Sequence, residues 1–243
     1  MPSVSIVIPA YNEEARLPAT LDAVTTYLNE KQFSFAEIVV VDDGSRDRTA
    51  ELVEQRQRAS PYVRLVRNPG NRGKGYAVRN GMLQAKGEWI LYTDADLSAP
   101  IGELDKLLDA AGRAGAEIAI GSRALDRSLV GVHQSAFREM SGRAFNIIMR
   151  SITGLPFRDT QCGFKLYSSA AAHDIFSLQT LDGFSFDVEN LVVARLLARH
   201  AIEVPVLWNN VEGTKVSTLA GMASFAALVG IRWRALTGRY GKK

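Results

Sequence analysis

Carboxylates and other polar residues gather at three points in the first hundred residues, each directly after a short apolar run. The groups are residues 9–13 (PAYNE), 42–45 (DDGS) and 94–96 (DAD). Asp94 and Asp96 are two positions apart, and on extended backbone such side chains point to the same side. Hard oxygen ligands of this kind suit Mg²⁺ or Mn²⁺, which often bind substrate phosphates as well. The alternative is a turn or helix cap, in which Asp is common.

The segments around these groups predict alternating strands and helices. Acidic residues Glu13 and Glu14 place the start of the first helix near residue 12. Apolar runs predict strands at residues 4–8, 37–41, 63–66 and 89–93, and the intervening segments predict helices at 12–29, 47–58 and 75–85. Short connections between them indicate βαβ units and a parallel sheet. Ligands bind beyond the carboxyl ends of such strands, so the three groups should meet at one crevice.

The remainder of the chain continues this pattern without a repeat or linker. Further strands are predicted at residues 117–120, 164–167 and 204–208, and helices at 137–153 and within 184–200. The expected fold is therefore a single α/β domain over 1–243, with a mostly parallel central sheet flanked by helices. We divide this domain into residues 1–125, residues 126–215 and a basic C-terminal helix and tail at 216–243.

Composition excludes several classes of protein. The 243 residues carry a formal charge of +3 and one cysteine, Cys162, which we interpret as a packed thiol in a reducing compartment. We expect no secretory signal, because a charged n-region and a cleavage site are not seen before the first strand, and no run reaches the roughly 18 apolar residues of a spanning helix. Zinc-finger, helix-turn-helix and RNA-recognition signatures are absent, so nucleic acid is not an expected partner.

The C-terminal segment is basic. Residues 213–243 contain six Lys or Arg and no acidic residue. An apolar stripe at helical spacing predicts an interfacial helix, with Arg232, Arg234 and Arg239 at its Trp-bearing end. The stripe consists of Leu219, Met222, Ala226, Val229, Trp233 and Leu236. The alternative is that the stripe packs on the core and that the tail is merely solvated.

Two further segments are candidates for nucleotide contact. A carboxylate of residues 42–45 at the tip of its strand can accept hydrogen bonds from a nucleobase or ribose, although a capped turn is the alternative. Residues 71–75 (NRGKG) place two glycines and two cations before a helix, which suits close backbone approach to a nucleotide through Gly73 and Lys74. The spacing matches neither a dinucleotide fingerprint nor a P-loop.

The four motifs at residues 9–13, 42–45, 71–75 and 94–96 together resemble the family 2 inverting glycosyltransferases of the GT-A fold. Later segments resemble one branch of them, the dolichyl-phosphate β-glucosyltransferases. These segments are residues 121–123 (GSR), 159–165 (DTQCGFK), 186–189 (FDVE), Trp208 and 212–215 (EGTK). Relatives of that branch are dolichyl-phosphate mannose synthases and bacterial polyprenyl-phosphate glycosyltransferases. The resemblance covers essentially the whole chain.

The resemblance implies that residues 1–125 are the nucleotide-sugar-binding half and residues 126–215 the acceptor half, and it implies a role for each matching residue. Pro9, Tyr11 and Glu13 line the nucleotide pocket, and Asp42 contacts the nucleobase. Asp94 and Asp96 hold the donor diphosphate through Mg²⁺ or Mn²⁺. The residues expected to bind diphosphate or acceptor phosphate are Arg123, Arg138, Lys165 and Lys215. Asp159 lies where related enzymes carry a base, and we expect it to orient rather than to take a proton; capping the next turn is the alternative.

The implied reaction is transfer of glucose from UDP-glucose to a polyprenyl monophosphate, with inversion. Such a lipid lies at a membrane surface, so the resemblance implies a peripheral protein on the cytoplasmic face. A phosphate monoester is largely dianionic at neutral pH and needs cations more than a base. Two alternatives are mannose transfer from GDP-mannose to the same lipid and a catalytically silent protein that binds nucleotide sugars.

Overall fold

The structure is a computed structural model that describes residues 2–130, 147, 149–209 and 218–241, with only the backbone described over 218–225. Its strands are β1 (Val4–Ala10), β2 (Ala36–Asp42), β3 (Val63–Arg67), β4 (Trp89–Thr93), β5 (Ile118–Ser122), β6 (Phe164–Ser168) and β7 (Ala201–Pro205). Its helices are α1 (Leu17–Glu30), α2 (Thr49–Ala59), α3 (Lys74–Gln84), α4 (Glu103–Ala114), α5 (Ser169–Leu178), α6 (Phe186–Leu196) and α7 (Thr218–Leu236).

The strands form one sheet in the order β3-β2-β1-β4-β6-β5-β7. Neighbours pair in parallel except β6, which runs antiparallel to both β4 and β5. The prediction of a mostly parallel sheet is therefore confirmed. The carboxyl ends of β1, β2, β4 and β5 lie at one edge of the sheet, together with the amino end of β6.

Apolar side chains on both faces of the central strands explain why these segments form the middle of the sheet. Ile6 and Ile8 pack with α1 and α4 on one face, whereas Val7 packs with α3, α5 and α6 on the other. Adjacent β2 has the same alternation, with Ile38 facing the first cluster and Val39 the second. Such a strand, buried on both faces, is typical of the centre of an α/β sheet.

Several predicted boundaries are wrong. Helix α1 begins at Leu17, because Asn12 has a positive φ of 54° and its backbone N–H donates to the Ser45 hydroxyl. Strand β7 lies three residues before the predicted one, where it pairs in register with β5.

Helices α4 and α5 were not predicted, although α5 begins with the cap signal Ser168, whose hydroxyl accepts from a backbone N–H at 3.2 Å. Residues 149–153 are helical, and most of the predicted 137–153 helix lies outside the described residues.

Helix α7 packs one face on the protein and exposes the other. Leu228 and Ile231 are fully buried. Val229, Trp233 and Leu236 are 62%, 50% and 69% exposed. The apolar stripe thus faces outward where its side chains are described, and the alternative in which it packs on the core is wrong there. Among the described residues, no helix combines the length and the apolar character needed to cross a bilayer.

Candidate active site

The three polar groups meet where the sequence predicts. Strand β1 lies between β2 and β4, so the residues that follow these strands are neighbours. The backbone N–H of Asp43 donates to the carbonyl of Ala10 at 2.9 Å. Thr20 on α1 donates its hydroxyl to the carbonyl of Ala95 at 2.6 Å. Short hydrogen bonds therefore tie the three loops into one crevice at the edge of the sheet.

Asp94 and Asp96 lie on a turn and not on the extended backbone that we predicted. Strand β4 ends at Thr93, and the N–H of Leu97 closes the turn on the carbonyl of Asp94 at 3.2 Å. Leu97 has a positive φ of 45°. One oxygen of Asp96 accepts the N–H and the hydroxyl of Ser98, each at 3.0 Å. Both carboxylates are only partly buried and remain accessible to a ligand.

Asp94 lies in a pocket that Gly163 makes possible. A Cβ added at Gly163 would come within 2.1 Å of Asp94 Oδ2. The other carboxylate oxygen, Asp94 Oδ1, forms a salt bridge with Lys74 Nζ at 2.6 Å. Burial opposes the charge on Lys74, but the carboxylates of Asp94 and Asp187 outweigh burial and raise the pKa of Lys74. Lys74 therefore stays a cation beside the acidic pair.

The acidic pair suits a divalent cation that takes its remaining ligands from a substrate and from water. Within the part of the chain that the structure describes, no group of three or more His, Cys, Asp or Glu side chains could form a metal site. Mg²⁺ and Mn²⁺ are commonly held by one or two carboxylates together with substrate phosphates and water. Asp94 and Asp96, partly exposed at the mouth of the crevice, supply such a donor set.

The two aspartates at the carboxyl end of β2, Asp42 and Asp43, have different environments. Asp43 is buried and accepts hydrogen bonds from Asn68 Nδ2 and from the N–H groups of Arg72 and Gly73, at 2.7, 3.0 and 2.8 Å. It therefore fastens the 68–73 loop to the sheet. Asp42 accepts only the Ser45 N–H at 3.1 Å among the described residues, so its second oxygen can accept from a ligand. Asp42 is itself only 4% exposed, whereas Pro9 and Tyr11 at the end of neighbouring β1 are partly exposed, and their contact with a nucleotide stays a prediction.

The glycines of the 71–75 motif serve a contact within the protein. A Cβ at Gly73 would lie 2.5 Å from the carbonyl oxygen of Asp182, and one at Gly75 would lie 2.6 Å from that of Leu181. The Asp182 carbonyl also accepts the N–H of Gly75 at 2.7 Å. The segment 181–183 therefore occupies the space that we predicted for a nucleotide at Gly73. The motif still places Lys74 at the acidic pair.

Arg16 is a site residue that the sequence analysis missed. Its Nε and Nη2 donate to both carboxylate oxygens of Glu13, at 2.7 and 2.6 Å. The Glu13 hydrogen bond is the main cause that raises the pKa of Arg16, and the charges of Asp96 and Asp94 add to it. Arg16 is therefore a cation held next to the acidic pair. Its spacing of three residues from Glu13 is a signal that could have indicated the pair.

Arg123 and Asp159 form a bidentate ion pair at the carboxyl end of β5. Arg123 Nε and Nη2 donate to Asp159 at 2.6 and 2.8 Å, and the Arg123 backbone N–H donates at 3.0 Å. Burial opposes ionisation of Asp159, but Arg123 outweighs it and lowers the pKa of this carboxyl. An ionised carboxylate clamped on an arginine is a poor proton acceptor, which agrees with the predicted orienting role.

Lys165 does not have the predicted access to an acceptor phosphate. Its side chain is fully buried, and its ammonium donates to the Cys162 carbonyl at 2.7 Å and forms an ion pair with Asp187. This pairing directs the charge into the protein.

Neighbouring Cys162 is also buried, and burial raises the pKa of its thiol to about 12, as a packed thiol requires. The other two predicted phosphate ligands, Arg138 and Lys215, lie outside the described residues.

Comparison with known proteins identifies relatives over most of the chain. The family model described as glycosyl transferase family 2 matches residues 5–176. A dolichyl-phosphate β-glucosyltransferase from Dictyostelium discoideum is 36% identical over 248 aligned residues, covering 97% of this chain and 75% of that protein. The enzyme of the same name from Homo sapiens is 35% identical, covering 98% of this chain and 77% of that protein.

Solved structures share the fold. Glucosyl-3-phosphoglycerate synthase from Mycobacterium tuberculosis, in complex with UDP, superposes with a TM-score of 0.66 at 20% identity, covering 96% of this chain and 80% of that chain. A complex of that enzyme with Mn²⁺, UDP and glucosyl-3-phosphoglycerate gives a TM-score of 0.65 at 20% identity and covers 100% of this chain and 81% of that one. The predicted GT-A type of fold is confirmed.

Proposed function

Because the chain belongs to glycosyl transferase family 2, we propose that it transfers glucose from UDP-glucose to a polyprenyl (dolichyl) monophosphate, with inversion at the sugar carbon. Relatives that share more than a third of its residues over nearly its whole length are named dolichyl-phosphate β-glucosyltransferases, which supports glucosyl transfer to a dolichyl phosphate. The observation that carries the proposal is the crevice, in which an acidic pair and the clamped cation Arg123 lie at one edge of the sheet.

The donor would bind at the ends of β1, β2 and β4. Pro9, Tyr11 and Glu13 would line the nucleotide pocket, with Asp42 accepting hydrogen bonds from the uracil or ribose. Asp94 and Asp96 would hold Mg²⁺ or Mn²⁺ against the diphosphate, and the bound cation would offset the negative charge of the leaving group. Lys74 lies 2.6 Å from Asp94 and provides a second positive charge at the same position.

The acceptor needs little proton chemistry. A phosphate monoester has a second pKa of about 6, so its oxygen is already a nucleophile at neutral pH. The obstacle is repulsion between two phosphate groups, which Arg123 can reduce through charge-assisted hydrogen bonds. Asp159 stays ionised on Arg123 and keeps the guanidinium in place. Among the described cations that we predicted for this role, Arg123 is the one that reaches the crevice.

A comparison of donors tests the proposal. We expect UDP-glucose to give the highest kcat/KM in a set that includes GDP-mannose and UDP-N-acetylglucosamine, at one fixed concentration of a short polyprenyl phosphate. A higher kcat/KM for GDP-mannose would favour mannose transfer to the same lipid. Binding of UDP-glucose without any turnover would favour a silent nucleotide-sugar-binding protein.

We propose that the protein associates peripherally with the cytoplasmic face of a membrane, and the outward face of α7 supports contact with a membrane surface. Val229, Trp233 and Leu236 are exposed on it, and the Arg239 guanidinium lies 4.2 Å from the centre of the Trp233 ring. Arg232 is exposed as well. Arg234 does not take part as predicted, because it is partly buried and its Nη1 lies 3.8 Å from the carboxylate of Glu189. An aromatic and apolar face flanked by cations is typical of an interfacial helix.

A further inference from the structure

Two contacts hold the guanidinium of Arg123, one at its edge and one at its planar face. At the edge, its Nε and Nη2 donate to the carboxylate of Asp159. On the face, the guanidinium carbon lies 4.8 Å from the centre of the Trp208 ring. Trp208 is only 7% exposed, and its backbone N–H donates to the carbonyl of Leu129 at 2.9 Å, so the indole is itself fixed. Stacking on an indole and bidentate pairing are the two contacts that most restrict an arginine.

Glu203 on β7 holds both sides of this assembly. Its carboxylate accepts the backbone N–H groups of Arg158 and Asp159, each at 2.8 Å, and the hydroxyl of Ser122 at 3.1 Å. Ser122 directly precedes Arg123 at the end of β5. Because β7 pairs with β5, with Glu203 opposite Ile120, the carboxylate lies between the strand that carries Arg123 and the segment that carries Asp159.

One nitrogen of Arg123 remains for a ligand. No group among the described residues accepts a hydrogen bond from its Nη1, whereas Nε and Nη2 are committed to Asp159. A phosphate can approach the Nη1 end without breaking the ion pair, and it then meets a guanidinium that needs no reorganisation. Displacement of a positioned group by about 1 Å can cost on the order of 10²-fold in rate.

We propose that Glu203 and Trp208 are positioning residues that orient Arg123 toward the phosphate of the acceptor. The proposal rests on the proposed function, because it requires a phosphate-bearing acceptor. Glu203 acts through the backbone of Asp159, and Trp208 acts through the face of the guanidinium. Neither side chain is assigned a contact with the donor, whose pocket is formed by residues of β1, β2 and β4.

The test separates the acceptor from the donor in steady-state kinetics. We expect Trp208→Leu and Glu203→Ala each to raise the KM for a short polyprenyl monophosphate about tenfold, with the KM for UDP-glucose changed less than about twofold. Trp208→Phe, which keeps an aromatic face, and Glu203→Gln, which keeps an acceptor oxygen, should recover most of the loss. Glu54→Ala is the matched control, since Glu54 pairs with Arg67 in an exposed surface contact.

Equal changes in both KM values would overturn the proposal, because a merely structural role would disturb donor and acceptor alike. A second measurement does not depend on turnover. A crystal structure of Glu203→Ala should show the Asp159 and Arg123 side chains displaced, and an unchanged ion pair would also overturn the proposal. If wild-type protein transfers no sugar to any polyprenyl phosphate, the proposed function fails, and that result is distinct from either outcome above.

Discussion

The crevice has two sides that are built differently. On the side of β1, β2 and β4, two of the carboxylates accept from close neighbours in the chain, since Asp42 accepts from Ser45 and Asp96 accepts from Ser98. On the side of β5, β6 and β7, charges are paired across 36 residues between Arg123 and Asp159 and across 22 between Lys165 and Asp187. The first side leaves carboxylates available to a ligand, whereas the second neutralises most of its charge internally.

This difference assigns separate tasks to the two sides. Asp96 can help to hold a cation and, through it, a diphosphate, because it is partly exposed and the N–H and hydroxyl of Ser98 occupy only one of its oxygens. Buried ion pairs are rigid and offer few remaining donors, so they hold one cation in a fixed direction. The donor side should thus respond to metal and nucleotide, and the acceptor side should mainly affect geometry and stability.

Asp96→Ala gives the largest expected effect and tests the donor side. Transfer should fall by at least about 100-fold at saturating UDP-glucose and metal, because a carboxylate that holds the cation on the leaving diphosphate is lost. Circular dichroism and thermal unfolding should stay close to wild type, since Asp96 is partly exposed. Chelation should stop wild-type turnover, and added Mg²⁺ or Mn²⁺ should restore it.

The control for this variant is Asp109→Ala, which removes an exposed carboxylate of α4. It should leave the activity unchanged. Activity of Asp96→Ala within a few-fold of wild type would contradict the metal assignment and would remove the main distinction between the two sides.

The donor side was also the side that the sequence could predict. Alternating apolar runs located β1, β2 and β4, and their polar ends met as expected because parallel strands share one edge. Local motifs do not specify partners, however. Nothing in the sequence around Lys165 indicates its partner, and only the fold brings Asp187 of α6 to it. The role of Gly73 in contact with the 181–183 segment was missed for the same reason, because these residues are far apart in the chain.

Lys165→Met tests the acceptor side through stability. Removal of one partner leaves Asp187 as an unpaired buried carboxylate, and breaking a buried pair typically costs about 3–5 kcal/mol of unfolding free energy. Urea unfolding should show this loss. Lys31→Met is the matched control, because Lys31 pairs with Asp105 where both side chains are about half exposed, and such pairs contribute about 0–1 kcal/mol. Unchanged stability with weaker acceptor binding would instead identify Lys165 as a phosphate ligand.

Gly163→Ala tests where the two sides meet. The glycine precedes β6, but its missing Cβ leaves room for the Asp94 carboxylate. An alanine should push that carboxylate away and weaken Mn²⁺-dependent donor binding about tenfold, the size expected when a group that supports a metal ligand is disturbed. Titration of activity with Mn²⁺ and with UDP-glucose measures it. Gly112→Ala on α4, where an added Cβ meets nothing within 4 Å, is the control. Equal metal dependence in both variants would show that Asp94 is not constrained by β6.

The smallest expected effect concerns α7, which packs on the acceptor side against α6. Arg234 of α7 lies next to Glu189 within the protein. Arg232 of α7 and Arg239, which follows the helix, are exposed. A cation near an anionic leaflet contributes on the order of 1 kcal/mol, or about fivefold in binding. Arg232→Glu and Arg239→Glu should therefore each lower co-sedimentation with anionic vesicles several-fold at low salt, and added salt should weaken wild-type binding as well.

Two comparisons make this result specific to the outward face. Arg113→Glu changes an exposed arginine at the end of α4 and should pellet with vesicles like wild type. Trp233→Ala should reduce pelleting even at higher salt, because it removes buried apolar area at the interface and not charge. Wild-type protein that fails to pellet with anionic vesicles at low salt would contradict membrane association. Delivery of the lipid acceptor would then have to depend on another protein.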